Sequence, residues 1–172
     1  MNTLQRYFLY RQSLIDQYKK GDMTKREYLD SNFDAVLSLN IKPFKNIDTV
    51  DKGLFNYQYY NAMAKEARMD AKYADDREIK AIYNEKCSYF YSRKDRATLR
   101  VLELKDFRDV RAYFIRVRSK ELKNRLIELV IEDYGMILHT TSQVILRRLK
   151  ENGIFEEGVK PSVIDGYINQ RY

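Results

Sequence analysis

The sequence predicts an α+β protein, and three observations carry that expectation. Apolar residues recur at helical spacing from Leu4 to Phe107, no glycine or proline interrupts the chain between Gly53 and Gly135, and from Val110 the spacing turns from helical to alternating. The implied organisation is a helical region at 1–107, made of a hairpin (3–39), a connector (40–47) and long helices (48–107). It is followed by an antiparallel strand-strand-strand-helix unit with a C-terminal tail at 108–172. The alternative is an all-α chain, because Leu122, Leu126, Leu129 and Val130 also fit a helical stripe.

In the hairpin, Leu4, Tyr7, Phe8, Leu14, Ile15 and Tyr18 share one helical face. That helix should stop at Lys19-Lys20, where cations suit the negative end of the dipole and Gly21 supplies a left-handed cap. Thr24-Lys25-Arg26-Glu27 reads as a capping box, a hydroxyl and a carboxylate spaced to satisfy each other's backbone N–H groups. It opens a second helix with Tyr28, Leu29, Phe33, Val36 and Leu37 inward. With its Gly21, Thr24, Glu27 and Tyr28, the string KKGDMTKREYLD resembles the SHOCT-like helical hairpins; the resemblance covers the hairpin alone and implies no function.

Pro43 disfavours helix at Lys42 and lacks a donor, which makes 40–47 a connector, and Asp48 or Thr49 can cap the helix after it. Long helices are expected from Asp48 to Tyr73 and from Asp76 to Phe107, with a break near Asp75-Asp76 and a second bend at Ser92. The block LFNYQYYNAM offers its tyrosines at a spacing that suits a core or a groove wall better than a base-stacking surface. Ala64, Ala67, Ala71 and Ala74 give a narrow face onto which another helix can close, either within the chain or from a second copy. Cys87 reads as a small core residue on a helix that also buries Ile79, Tyr83 and Phe90, with no histidine nearby in sequence to activate it.

Beyond Val110, Tyr113, Ile115 and Val117 alternate with Phe114, Arg116 and Arg118, and Ile127, Leu129 and Ile131 alternate with Leu126, Glu128, Val130 and Glu132. Pairing Val117 with Ile127 places Ile115 opposite Leu129, Tyr113 opposite Ile131 and Arg116 opposite Glu128, so a single register satisfies both faces. Asp133-Tyr134-Gly135 suits a turn into a third strand, Met136 to His139. Thr140, Thr141 and Ser142 then offer N-cap hydroxyls to a helix that ends at Asn152-Gly153, and Pro161 can start a short helix in the tail.

Composition bounds the functional classes. Hydrophobic residues at 44% and charged ones at 33% exclude a disordered chain. The N-terminus lacks an apolar signal core and no run approaches a membrane span, so the expected compartment is the cytoplasm. One cysteine and one histidine give neither an internal disulfide nor a zinc-type ligand set. Phosphate-loop and nucleophile-elbow motifs are absent, so no catalytic residue, metal or cofactor is assigned. Glu128, Glu132 and Asp133, which could in principle hold magnesium, read more simply as solvated ion-pair partners.

The net charge of +7 is concentrated, with twelve basic against five acidic residues between Arg93 and Arg125. That segment supplies the candidate polyanion site: Arg93, Lys94, Arg96, Arg100, Arg116, Arg118, Lys120, Lys123 and Arg125. A second candidate, for a small anion, is His139 with Thr141 and Ser142 at the start of a helix. The leading functional expectation is a non-catalytic binding module for nucleic acid or another polyanion. The other is a structural or adaptor protein that oligomerises or docks a protein partner through its long helices.

Overall fold

The computed structural model describes residues 1–107, 111, 114–115, 120–127, 147 and 151. Among them the only regular elements are helices: α1 (Thr3–Lys20), α2 (Lys25–Ser38), α3 (Val50–Tyr73), α4 (Arg77–Leu104) and α5 (Lys120–Ile127). The chain divides into two compact units, Met1–Val101 and Leu102–Tyr172.

In the first unit local chemistry sets the helix ends. Asn2 and Gln5 form a capping box at the start of α1, and Gly21, at φ 83°, closes it in the left-handed region after Lys19 and Lys20. At α2, the Thr24 N–H donates to the Glu27 carboxylate at 2.8 Å, and the Glu27 N–H donates to the Thr24 hydroxyl at 3.2 Å. Asn40, at φ 51°, turns the chain out of α2, a role asparagine tolerates because its short amide fits left-handed backbone. The connector between α2 and α3 is held by side chains rather than by its own hydrogen bonds. Asn56 of α3 donates to the Phe44 carbonyl at 2.9 Å and accepts its N–H at 2.8 Å, and Arg100 of α4 donates to the Ile47 carbonyl at 2.9 Å.

The Thr24 hydrogen bonds hold the Glu27 carboxyl below its ordinary range, the backbone bond contributing most. The folded value is depressed, so this stabilisation is complete above the unfolded glutamate value, about 4.3, and is lost as pH falls through the lower folded value. Urea unfolding at neutral pH and near pH 3 should therefore show a smaller acid loss for Glu27→Gln than for wild type. Equal losses would show that the box carries no charge-dependent stability.

α1, α2 and α3 pack against one another around two apolar clusters. Tyr7, Val36 and Ala62 join all three helices, with Phe33 and Tyr59 against them, and Leu14, Ile15 and Tyr28 fill the closed end of the α1–α2 hairpin. Leu37, expected inward, is exposed, whereas Asn32 of the same helix is buried.

α3 and α4 run antiparallel, as Gly53 against Val101, Asn61 against Lys94, Tyr60 against Phe90 and Ala64 against Cys87 show together. Ala64, Ala67 and Ala71 are buried, so the narrow alanine face closes within the chain and the question left open by the sequence is answered by α4. α4 continues as helix through Ser92, where a bend was expected. Gly53 marks the closest approach of the two helices: a Cβ there would stand 2.5 Å from Val101 Cγ2 and 3.2 Å from Ile47 Cγ2. Gly53→Ala gains about 1 kcal/mol of helix propensity, but overpacking against a stiff, buried valine costs about 1–3 kcal/mol. We expect net destabilisation in urea unfolding, relieved in Gly53→Ala/Val101→Ala; a stabilised single variant would contradict the close contact.

The second unit corrects the fold class to all-α among the described residues. Arg111, Phe114 and Ile115 are helical, and the Arg111 N–H donates to the Phe107 carbonyl at 2.9 Å, the spacing of an α-helical turn. Leu126 and Ile127, read as the start of the second strand, belong to α5. Ile115, assigned to the core face of the first strand, is 56% exposed, whereas Phe114 beside it is 2% exposed. Adjacent apolar residues such as these satisfy either period over a short run. The Ser119–Asn124 connection then decides, because it has no glycine for a tight hairpin turn while Lys, Glu and Leu favour helix. α4 itself ends on Asp106 at φ 57°, with the Phe107 N–H returning to the Leu102 carbonyl at 2.8 Å, a Schellman closure built on aspartate in place of glycine. Leu129 and Ile131, the Met136–His139 strand and the helix from Pro161 lie outside the described residues. So does the Thr140–Gly153 helix, apart from Arg147 and Glu151, which are helical and exposed.

Candidate functional site

α4 carries two stripes of side chains with opposite fates. One contains Cys87, Lys94, Ala97, Thr98 and Val101 and faces α3, with Lys94, Ala97, Thr98 and Val101 buried. The other runs Ile79, Ile82, Lys86, Tyr89, Arg93 and Arg96, at alternating steps of three and four residues, the repeat that keeps side chains along one helix face. On this second stripe Ile79, Ile82 and Tyr89 are 48%, 53% and 51% exposed. Burial of Ile79 was expected from the sequence, together with Tyr83 and Phe90, which are half-buried.

A run of ring contacts ties the outer stripe to the core. Phe44 meets Phe55 edge-on at 5.8 Å, Phe55 meets Tyr59 at 6.1 Å, and Tyr59 meets Tyr60 at 5.6 Å. Tyr60 then meets Phe90 across the α3–α4 interface at 6.3 Å, and Phe90 meets Tyr89 at 5.5 Å. Arg93 closes the run: its guanidinium lies 5.3 Å from the centre of the Tyr89 ring, and its Nε donates to the Tyr89 hydroxyl at 3.2 Å. Burial, and then Tyr89, push the Tyr60 hydroxyl above the ordinary tyrosine range, while Arg93 pulls it down. A tyrosine and an arginine fixed against each other in this way have already lost much of the rotamer freedom that binding would cost, about 0.5–1.5 kcal/mol per side chain.

Two of the predicted polyanion residues, Lys94 and Arg100, serve internal contacts of the first unit. Lys94 is 7% exposed: its ammonium donates to Asn61 Oδ1 at 3.0 Å and stands 5.2 Å from the Tyr57 ring and 5.6 Å from the Tyr91 ring. Its charge therefore serves the α3–α4 interface. Arg100 is committed to the Ile47 carbonyl. Arg93 and Arg96 remain on the outer stripe, Arg96 exposed. In the second unit Lys120 is exposed and Lys123 lies 4.7 Å over the Phe114 ring. Arg125 is in α5, and Arg116, Arg118, His139, Thr141 and Ser142 lie outside the described residues.

Among the described residues no group of three or more His, Cys, Asp or Glu is placed to hold a metal ion, and no helix is long and apolar enough to cross a membrane. Cys87 is half-buried, and its thiol donates to the Ala64 carbonyl at 3.5 Å. These residues make an all-helical scaffold whose most distinctive surface is an amphipathic helix face. The chain belongs to the family described as Family of unknown function (DUF6648), which it matches over residues 1–172. No curated protein and no solved structure matches it.

Proposed function

We propose that this protein is a non-catalytic docking module that binds a protein partner along the outer face of α4. The observation that carries this reading is the exposure of Ile79, Ile82 and Tyr89 on one stripe, beside a Tyr89–Arg93 pair anchored to the core through Phe90 and Tyr60. Tyrosine and arginine are enriched among the residues that dominate the binding energy of protein interfaces, and apolar residues spaced along one exposed helix face are the anchors a partner helix covers. The polyanion reading draws on Arg93 and Arg96 of the same face. It has less to work with, because Lys94 and Arg100 serve internal partners.

Ionic strength separates the two readings, since counterion release makes polyanion binding fall steeply with salt while apolar docking changes little. The test is the size of the tagged full-length protein in extract of the cells that make it, at low and high salt and with nuclease. Docking predicts an assembly that survives salt and nuclease and is lost in Ile79→Glu/Ile82→Glu, a variant whose helical circular dichroism is unchanged. An assembly dissolved by salt or nuclease would favour the polyanion reading. A monomer under every condition would overturn the docking reading.

A further inference from the structure

We infer that the partner segment seated on α4 is an acidic amphipathic helix; this rests on the docking reading and names the chemistry of its occupant. The stripe from Ile79 to Arg96 is one helix face about 26 Å long at 1.5 Å per residue, a length that a single partner helix of about five turns would follow. Its spacing by threes and fours is the spacing of a coiled-coil seam, which accepts side chains from another helix and fits neither an extended peptide nor a flat sheet edge. Along the seam the chemistry is graded. Ile79 and Ile82 lie toward the hairpin turn, Tyr89 is central, and Lys86, Arg93 and Arg96 supply cations with no acid at any seam position. A matching helix places apolar side chains against Ile79, Ile82 and Tyr89 and carboxylates against Lys86, Arg93 and Arg96, where arginine can take a carboxylate through two parallel hydrogen bonds.

The same grading argues against the other occupants. A second copy aligned in parallel would set Lys86 on Lys86 and Arg93 on Arg93, and an antiparallel copy would set Ile79 against Arg96 and Ile82 against Arg93. Both pairings waste the seam. A nucleic-acid backbone has no use for Ile79 and Ile82.

The experiment uses the full-length protein and two synthetic helical peptides of about 18 residues, with leucine at the seam positions that meet Ile79, Ile82 and Tyr89, either glutamate or lysine at those that meet Lys86, Arg93 and Arg96, and alanine or glutamine elsewhere. Polyglutamate and duplex DNA serve as controls, with affinity read by titration and self-association by sedimentation. The glutamate peptide should bind at least about tenfold more tightly than the lysine peptide and than polyglutamate. Lys86→Glu/Arg93→Glu/Arg96→Glu should reverse the preference, and Ile79→Glu/Ile82→Glu should abolish binding of both peptides. Equal binding of the two peptides, lost in the isoleucine variant, would overturn the acidic partner and leave the docking face standing. Equal binding of polyglutamate, or stronger binding of DNA, would overturn it in favour of a generic polyanion. Self-association through the seam would replace the inferred partner with a second copy. If neither peptide binds, the inference fails, and the assembly in cell extract decides the docking reading on its own.

Discussion

Truncating Phe55 to alanine should lower the unfolding free energy by about 3–5 kcal/mol, the cost of removing a buried aromatic from a packed core. Phe55 is 0% exposed and stands between Phe44 of the connector and Tyr59 of its own helix. Its ring thus joins the connector to α3, and the cavity left behind would lie beneath a segment that Asn56 and Arg100 also hold. Urea unfolding of the full chain provides the measurement, with a fall in midpoint at unchanged slope as the expected result. Tyr89→Ala, on the exposed end of the same ring series, should shift the midpoint far less. A loss below about 1 kcal/mol for Phe55→Ala would mean that the connector is not packed on this ring.

Asn32→Ala is the other large effect, and it arises from polarity rather than volume. The Tyr7 hydroxyl donates to Asn32 Oδ1 at 2.8 Å, and Asn32 Nδ2 donates to Gln58 Oε1 at 2.9 Å, so one buried amide joins α1, α2 and α3. Burial is also what pushes the Tyr7 hydroxyl far above its ordinary pKa, which keeps it a neutral donor. Removing the amide strands a buried hydroxyl and a buried carbonyl, at about 1–3 kcal/mol each, for a loss of about 2–6 kcal/mol. Tyr7→Phe/Asn32→Ala should then cost less than the sum of the single variants, because one stranded group is gone. Strict additivity in a double-mutant cycle would deny the hydrogen bond its energetic role.

What the sequence made legible was the chemistry that acts over a few residues. Gly21, Thr24 with Glu27, and Pro43 each impose a local backbone demand, and the structure meets those demands at the end of α1, the start of α2 and the connector after it. The alanine stripe of α3 was legible as a close-packing face for the same reason, though only α4 could show what closes on it. Buried polar residues were not legible. Asn32, Lys94 and Asn61 become interior residues because each finds a partner on another helix, at separations of 25 to 33 residues for Tyr7–Asn32 and Asn61–Lys94, and nothing in their neighbours announces it. The strand reading failed where Phe114 and Ile115 are adjacent and apolar, so that period two and period 3.6 fit equally and the turn-poor connection had to decide.

The exposed stripe of α4 was also missed, although its signal was present. Ile79, Ile82, Lys86 and Tyr89 form a stripe distinct from Tyr83, Cys87, Phe90 and Lys94, on a separate face of the helix. Counting apolar residues along α4 merged the two. Only their relative exposure separates the stripe that α3 covers from the one left outside.

The most direct test of a protein partner on α4 is photo-crosslinking in the cells that make the protein, with a photoreactive residue at Ile82 and, as control, at the exposed Gln12 of α1. The docking face predicts a discrete protein adduct from position 82, none from position 12, and loss of the adduct when Ile79→Glu is added. Equal adducts from both positions, or crosslinks from 82 to nucleic acid alone, would contradict it.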